Sequence, residues 1–340
     1  MIAASVVMPV HNSASTIKEA LASIQNQTEA SIEIIVVDHL STDTTPELLK
    51  EAQQQDSRIK VLHHSGTFVE AANLAWRHAS GPLIARMDAD DVAMPSRIEA
   101  QVEFLHSRPH LAACGSLVAI KRRGSAGETL TALPGYQRYE RWVNSVVSEV
   151  QIQTERFVDS PIPNPSSMMR REVLEALGGY RETPWAEDYD FWLRMIAAGY
   201  PIAKVNLSLL DWYDSETRAT RNIPRYELSR FQEAKAHFLA KIPLLQELGV
   251  CICGAGPIGK ELVSLLRHQG VSIKAFFEVN ERQIGNQING IPVLPTAAMA
   301  DLRGKTVLLA AVGQVGARER IRKLIEPLDF EEGKDFFCVA

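Results

Sequence analysis

Three carboxylates within four residues, Asp88, Asp90 and Asp91, follow an apolar run that ends at Met87. Like charges this close repel one another, and a cation would relieve them. Hard oxygen ligands select Mg2+ or Mn2+, an ion that keeps some of its water and takes further ligands from a phosphate. If the apolar run is a buried strand, the cluster lies at its C-terminal end, where open α/β sheets bind ligands. A solvated acidic turn has the same composition, so the cluster alone leaves both readings open. A second acidic pair, Glu187-Asp188, opens the amphipathic stretch Tyr189-Asp190-Phe191-Trp192-Leu193-Arg194. Negative charge is favoured at a helix start; the same pair is also suited to holding a general base beside a substrate hydroxyl. A third pattern is Gly254-x-Gly256-x-x-Gly259, set between an apolar run and a helical one, with Glu278 about 20 residues on at the end of the next apolar run. Glycines for a tight turn, a helix N-terminus for phosphate and an acid for ribose make a dinucleotide pattern. A purely structural glycine loop is the alternative.

The elements that must position these residues alternate between two periods. Ile2–Met8, Glu33–Asp38, Ile59–His63 and Leu83–Met87 read as strands. Between them lie helices at Thr16–Asn26, from Thr45-Pro46 onward, and at Val69–His78. Thr16 and Glu19 have capping-box spacing, and Pro46 suits a first helical turn. Near-continuous apolar strands alternating with helices predict an α/β fold with a mostly parallel central sheet covered on both faces. From about 120 to 165 the pattern blurs, and Lys121-Arg122-Arg123-Gly124 reads as a turn. Helices follow at Glu187–Ala198, stopped by Gly199, and at Arg225–Leu239. At Gly249 the alternation restarts, with strands Val250–Cys253, Ser272–Phe277 and Thr306–Ala311 and helices Lys260–Gln269 and Arg318–Ile325. Two domains are expected, 1–244 and 245–340. Cys251 and Cys253 alternate in a strand, point the same way and read as core; His63-His64 has no metal-ligand context.

The chain has 340 residues, a length that suits two domains, and its 46% apolar and 23% charged composition is that of a folded protein. A net charge of −5 argues against generic nucleic-acid binding. Four scattered cysteines are too few for a disulfide framework and fit a reducing compartment. No apolar run approaches the ~20 residues of a membrane-spanning helix. The expected location is the cytoplasm, and peripheral contact with the inner face of the membrane is compatible with it.

Four segments together are more specific than any one. Val6-Val7-Met8-Pro9-Val10-His11-Asn12, Glu33–Asp38 with Ser41-Thr42-Asp43, Asp88-Ala89-Asp90-Asp91, and Glu187-Asp188-Tyr189-Asp190-Phe191-Trp192 resemble, in order and spacing, the motifs of family 2 glycosyltransferases of the GT-A fold. The resemblance covers roughly residues 2–215. It implies a nucleotide-diphosphate sugar as donor, and a saccharide or lipid-linked saccharide as acceptor. Transfer would be inverting, in bacterial surface polysaccharide or lipopolysaccharide synthesis. It implies that Pro9, His11, Asn12, Asp38 and His39 line the nucleotide pocket. Asp88 would approach the ribose and the metal, and Asp90 would ligate a divalent Mg2+ or Mn2+. Asp188 would be the catalytic base, Glu187 would place the acceptor, and Trp192 would join the substrate side. The chain departs from the family at His39, Leu40 and Glu70-Ala71-Ala72, which weakens the case for uracil recognition. Arg218 and Arg221 are candidates to cover the diphosphate, or else residues of a solvated loop. Arg170-Arg171 is either a site for an anionic acceptor or lipid headgroup, or a surface pair. The last hundred or so residues resemble small Rossmann-like domains appended to sugar-processing enzymes. That implies a nucleotide at Gly254, Gly256, Gly259 and Glu278, with a regulatory or assembly role. Two other classes stay open: a non-catalytic sugar-nucleotide-binding regulatory protein, and an NAD-linked oxidoreductase acting through the C-terminal domain.

Overall fold

The computed structural model describes residues 2–124, 127–215 and 223–340. Among these, the chain forms two compact units, one of 1–152, 161–183 and 187–222, the other of 153–160, 184–186 and 223–340. The expected boundary at 244/245 falls inside the second unit.

The first unit is built on one sheet. Its strands are β1 (Ala4–Val10), β2 (Ile32–His39), β3 (Ile59–His64), β4 (Leu83–Arg86), β5 (Val92–Ala93), β6 (Ala113–Arg123), β7 (Thr129–Thr131), β8 (Met168–Arg170) and β9 (Ile202–Asp214). They lie in the order β3-β2-β1-β4-β8-β6-β9-β5, with β7 on β6. The first four are parallel; β8 runs antiparallel between β4 and β6, and β6 and β9 are parallel again. The central strands β1, β2 and β4 are largely apolar because both faces are covered. Val6, Met8, Ile34 and Val36 pack into one core cluster, while Val7, Ile35 and Val37 pack into another.

Several expectations are corrected here. Lys121-Arg122-Arg123 is the end of the 11-residue β6, not a turn. Its charges are met laterally: Lys121 Nζ pairs with Asp211 at 2.5 Å, and Arg123 pairs with Glu19 at 2.8 Å and lies over the Tyr213 ring. That leaves Glu19 unavailable for a capping box, and Thr16 makes no cap; its hydroxyl donates to Ser13 O. The capping box forms instead at Thr67 and Glu70, at the start of helix Phe68–His78. Arg170 and Arg171 direct their Nε groups to the carbonyls of Leu111 and Gly81, so they brace the backbone.

The second unit has a sheet in the order β12-β13-β11-β10-β14-β15. These strands are β10 (Val250–Cys253), β11 (Ile273–Glu278), β12 (Gln287–Ile288), β13 (Ile291–Pro295), β14 (Val307–Ala310) and β15 (Phe336–Cys338). All pairs are parallel except β12–β13. Cys251 and Cys253 lie in its core, as expected, and all four cysteines are free and buried. Its earlier segments belong to it by firm contacts. Glu155 accepts from Arg318 and Arg322, Phe157 meets Phe337 edge-on at 5.8 Å, and Val158 O accepts from Lys235 Nζ on helix Leu228–Ala240. Among the described residues no helix is long and apolar enough to cross a membrane.

One buried carboxylate ties β1, β2 and β4 together. Glu33 is 3% exposed. It accepts from Ser5 Oγ, from Ser80 N and Oγ, and from Lys60 Nζ, all within 2.7 Å. Burial alone would raise its pKa; the bonds from Lys60, Ser80 and Ser5 more than offset this and lower it from 4.5 to about 2. A carboxyl depressed in the folded state stabilises the fold above its unfolded pKa, and that contribution is lost as pH falls toward the folded value. Here it amounts to roughly 3 kcal/mol at neutral pH. Glu33→Gln should therefore lower stability by up to about 3 kcal/mol at pH 7. The difference should shrink as pH falls from 4.5 toward 2, which urea unfolding of both proteins across that range will check.

Candidate active site

The C-terminal ends of β1, β2 and β4 lie side by side and present the first three motifs together. Two backbone strains mark this edge. Asn12 (φ 46°) and Leu40 (φ 54°) both adopt left-handed conformations. Asn12 tolerates this, and its Oδ1 accepts from Thr42 N at 2.7 Å while its own N–H donates to Ser41 Oγ. Leu40 has no such compensation in its side chain, which is 52% exposed; strain of this kind costs about 1–3 kcal/mol and clusters at functional sites. Asp43 completes the loop: its oxygens accept from Ala14 N and Thr45 N.

Beside Asn12, His11 Nδ1 lies 2.6 Å from His39 O, and the two imidazoles are 5.5 Å apart. Asp38 is buried. Its Oδ2 faces His63 Nδ1 at 3.2 Å, whereas its Oδ1, like His39 Nδ1, finds no hydrogen-bond partner among the described residues. Burial, with the neighbouring imidazoles of His11 and His64, lowers the pKa of His39.

The acidic cluster forms as the sequence suggests. Asp88, Asp90 and Asp91 each offer a carboxylate oxygen within 4.8 Å of the others. This set of hard, closely spaced oxygens fits a divalent Mg2+ or Mn2+. Asp91 is fully buried, and its Oδ1 accepts from Tyr213 N at 2.8 Å. Asp88 Oδ1 lies 2.6 Å from Arg86 Nη2. Below, Arg97 is also fully buried and donates to Arg86 O at 2.6 Å and to Gln101 Oε1. Sequence reading missed Arg86, Arg97, Tyr213 and Arg123. A signal was present for one of them: Arg97, with its partner Gln101 four residues on, falls on the apolar face of helix Arg97–His106 with Ile98, Val102 and Leu105. A polar pair on a buried face asks what it bonds.

Glu187 and Asp188 open the helix Glu187–Ala197. Glu187 is 4% exposed, and Asp188 is half-buried with Oδ1 accepting from Tyr189 N at 2.7 Å. Burial first, then the charge of Glu187 and that of Asp88, raises the pKa of Asp188 from 3.8 to about 7. The acid pair and the acidic cluster thus act on one another across the sheet end. Tyr180 connects them: its hydroxyl donates to Asn164 Oδ1 at 3.1 Å, and it feels the charges of Arg86, Asp188 and Glu187. Asn73 holds the backbone of Tyr180 from both sides, through Tyr180 N and Tyr180 O. Asp190 instead pairs with Arg194 at 2.7 Å, and Arg194 also donates to the carbonyls of Leu177 and Gly179. Trp192 corrects an expectation: it is 0% exposed in the core, so its ring offers no surface to a substrate. Arg218 and Arg221 lie outside the described residues.

In the second unit, Gly254 has φ 106° and would bring a Cβ to 2.5 Å from Val312; a Cβ on Gly259 would lie 2.1 Å from Gly254 O. At Gly256 a Cβ would meet nothing. Glu278 accepts from Ala255 N at 3.0 Å and from Val279 N at 2.8 Å. These backbone bonds outweigh burial and lower its pKa. Its carboxylate therefore closes the glycine loop.

Comparison with known proteins agrees with this geometry. Residues 5–178 match the family model of Glycosyl transferase family 2. The chain belongs to this glycosyltransferase family. Residues 246–327 match a second model, described as a CoA binding domain. An uncharacterized glycosyltransferase of Haemophilus influenzae is 32% identical over 251 residues, 70% of this chain and 75% of that protein. The Escherichia coli protein named UDP-Glc:alpha-D-GlcNAc-diphosphoundecaprenol beta-1,3-glucosyltransferase WfgD is 35% identical over 103 residues, 30% of this chain and 40% of that protein. The crystal structure of S. aureus TarS 1-349 in complex with UDP-GlcNAc superposes with a TM-score of 0.51 at 19% identity, over 79% of this chain and 73% of that one, a likeness of fold.

The raised pKa of Asp188 has a stability consequence. A carboxyl raised in the folded state opposes folding once it must ionise, so the penalty grows as pH rises from about 4 to 7 and is full above 7. Asp188→Asn in this glycosyltransferase should therefore raise the melting temperature at pH 8 by about 2 °C or more. The gain should shrink to about a quarter at pH 4.5; melting curves at the two pH values test this.

Proposed function

We propose that the first unit transfers a sugar from a nucleotide-diphosphate donor to an acceptor hydroxyl with inversion, using Asp188 as base. The observation that carries this reading is geometric: Asp88, Asp90 and Asp91 bring carboxylate oxygens within 4.8 Å of one another at the end of β4, and Asp188, far away in sequence, lies close enough to feel the charge of Asp88. A base poised there is matched to proton removal at physiological pH. Asp188 takes the acceptor proton as its oxygen attacks the anomeric carbon, and Glu187 orients that hydroxyl. Attack from the face opposite the diphosphate inverts the centre. Pro9, His11, Asn12, Asp38 and His39 line the nucleotide pocket, with Asp38 Oδ1 as an acceptor for the base. Asp90 and Asp88 hold a Mg2+ or Mn2+ ion. When bound, that ion supplies stabilisation of the charge that gathers on the departing diphosphate.

A polysaccharide or lipid-linked saccharide acceptor is supported by the E. coli relative, whose name gives UDP-Glc and a GlcNAc-diphosphoundecaprenol. Such an acceptor would bring the protein to the inner face of a bacterial membrane, in surface polysaccharide synthesis. In the second unit, the open space above Gly256 and the match to a CoA binding domain support a nucleotide-type ligand at Gly254, Gly256, Gly259 and Glu278.

Asp188→Asn should lower turnover by about 10²–10⁴ with donor affinity little changed. Wild-type turnover should fall about tenfold per unit as pH drops below about 7, because the base works only when ionised. A near-normal rate in the variant removes Asp188 from the mechanism. Asp90→Ala should abolish the dependence of UDP binding on Mn2+ in calorimetry, at an unchanged circular dichroism spectrum. Unchanged metal dependence refutes the metal assignment.

A further inference from the structure

Among the described residues, four that are not glycine have a left-handed backbone: Asn12, Leu40, Asn289 and Asp329. Three of them are the short polar types that accept this conformation, because their side chains can bond the nearby backbone. Leu40, at φ 54°, is the exception. A branched hydrocarbon side chain gains nothing locally from such a turn. Packing does not offset the strain either, since about half of the side chain stands in solvent.

The strained conformation persists because the residues on both sides of Leu40 are pinned. Asn12 N donates to Ser41 Oγ at 2.9 Å, and Asn12 Oδ1 accepts from Thr42 N at 2.7 Å. The second bond fixes the Asn12 amide, so its Nδ2 is the atom that faces His11 Nε2 at 3.2 Å. Nε2 must then accept, and the proton on His11 Nδ1 goes to His39 O, 2.6 Å away. Two residues after β1 thus hold 39, 41 and 42 in one shape, with Leu40 between the anchors. Two residues before Leu40, Asp38 is 5% exposed, and its Oδ1 has no hydrogen-bond partner among the described residues. One strand end therefore combines an open apolar side chain with a buried acceptor that calls for a donor. A diphosphate meets neither requirement, and a ribose has no flat apolar face. A nucleobase meets both, with its π-face and the N–H groups on its edge.

We propose that Leu40 is a base-binding residue of the donor site, its side chain covering the face of a nucleobase whose edge donates to Asp38 Oδ1. This rests on the reading of this strand end as the nucleotide pocket. Covering the exposed half of a leucine changes affinity by about five- to tenfold. Apolar cover, rather than the exact shape of leucine, is what the contact uses, so methionine should substitute.

The test is calorimetry on the full chain with UDP, TDP, CDP, GDP and ADP, each with Mn2+; the tightest of the five then serves as the probe. Inorganic pyrophosphate, read by competition against that nucleotide, is the ligand without a base. Leu40→Ala and Leu40→Gly should each raise the Kd of the nucleotide about five- to tenfold, and Leu40→Met should stay within twofold of wild type. Pyrophosphate should bind all four proteins within twofold. Leu40→Gly should also melt above Leu40→Ala, because glycine adopts φ 54° without strain. Unchanged nucleotide affinity in Leu40→Ala and Leu40→Gly overturns the proposal. An equal loss of pyrophosphate binding also overturns it, since that marks a change in loop shape rather than a lost base contact. A Leu40→Gly that melts below Leu40→Ala does the same, since the strain would then be absent. Should one of these two variants fail to fold, the other decides together with Leu40→Met. If none of the five nucleotides binds the wild-type chain, the nucleotide reading of this strand end falls and the role of Leu40 with it; firm wild-type binding beside unchanged variants refutes Leu40 alone.

Discussion

Five carboxylates, those of Asp88, Asp90, Asp91, Glu187 and Asp188, gather at the C-terminal end of the parallel strands of a mixed sheet, and their repulsion is the constraint around which the first unit is built. Two buried guanidiniums answer it. Arg86, 2% exposed, clasps Asp88 directly. Arg97 donates to Arg86 O, Ser167 O and Gln101 Oε1, so its charge acts through the field while its hydrogen bonds stiffen the strand that ends in the cluster. Burial lowers the pKa of Arg97 to about 10, which leaves it charged at neutral pH. Buried charges of this kind add little net stability and are costly to break. What they provide is a fixed position for Asp88, with Asp91 fixed from the other side by Tyr213 N. Oxygens held in place beforehand need no rearrangement when charge develops.

The acids show how neighbours, not residue type, assign roles. Glu33 is surrounded by donors and is held ionised far into acid. Asp190 is paired with Arg194 and serves as a brace for the turn at Leu177–Gly179. Asp188, two residues earlier on the same helix, forms no ion pair among the described residues. It faces burial and two other acids, and so it is the one held near neutrality. The sequence shows four similar carboxylates in Glu187–Asp190 and Glu33. Only the packing separates a strut from a candidate base.

This also explains what was legible beforehand. The parallel strands and the acidic motifs could be read because a strand buried on both faces is apolar throughout, and a charged cluster at its end stands out. β6 and β9 could not, because their polar residues find partners across the sheet, as Lys121 does with Asp211. In one dimension a laterally paired run of lysine and arginine looks like a solvent turn. Two of the Thr-x-x-Glu segments, Thr16–Glu19 and Thr67–Glu70, make the point most directly. Both have the spacing of a capping box, yet only Thr67–Glu70 forms one, because Glu19 has a long-range partner in Arg123. Trp192 was misplaced for a related reason: a helix that carries site residues on one edge buries its aromatics on another.

The three glycines of the second unit can be separated by the same reasoning. Gly254 is required by its left-handed backbone and by Val312, and Gly259 by the oxygen of Gly254, so packing alone accounts for both. Gly256 has extended backbone geometry, which any residue can adopt, and open space where a side chain would go. The fold itself would accept a larger residue there. A glycine that packing does not require, at the mouth of a strand–helix turn, keeps backbone N–H groups approachable. Glu278 bears on the same loop from the other side, since its carboxylate already bonds Ala255 N. A ribose seeking that carboxylate would have to share it with the loop, so ligand contact at Glu278 and the shape of the glycine turn are mechanically linked.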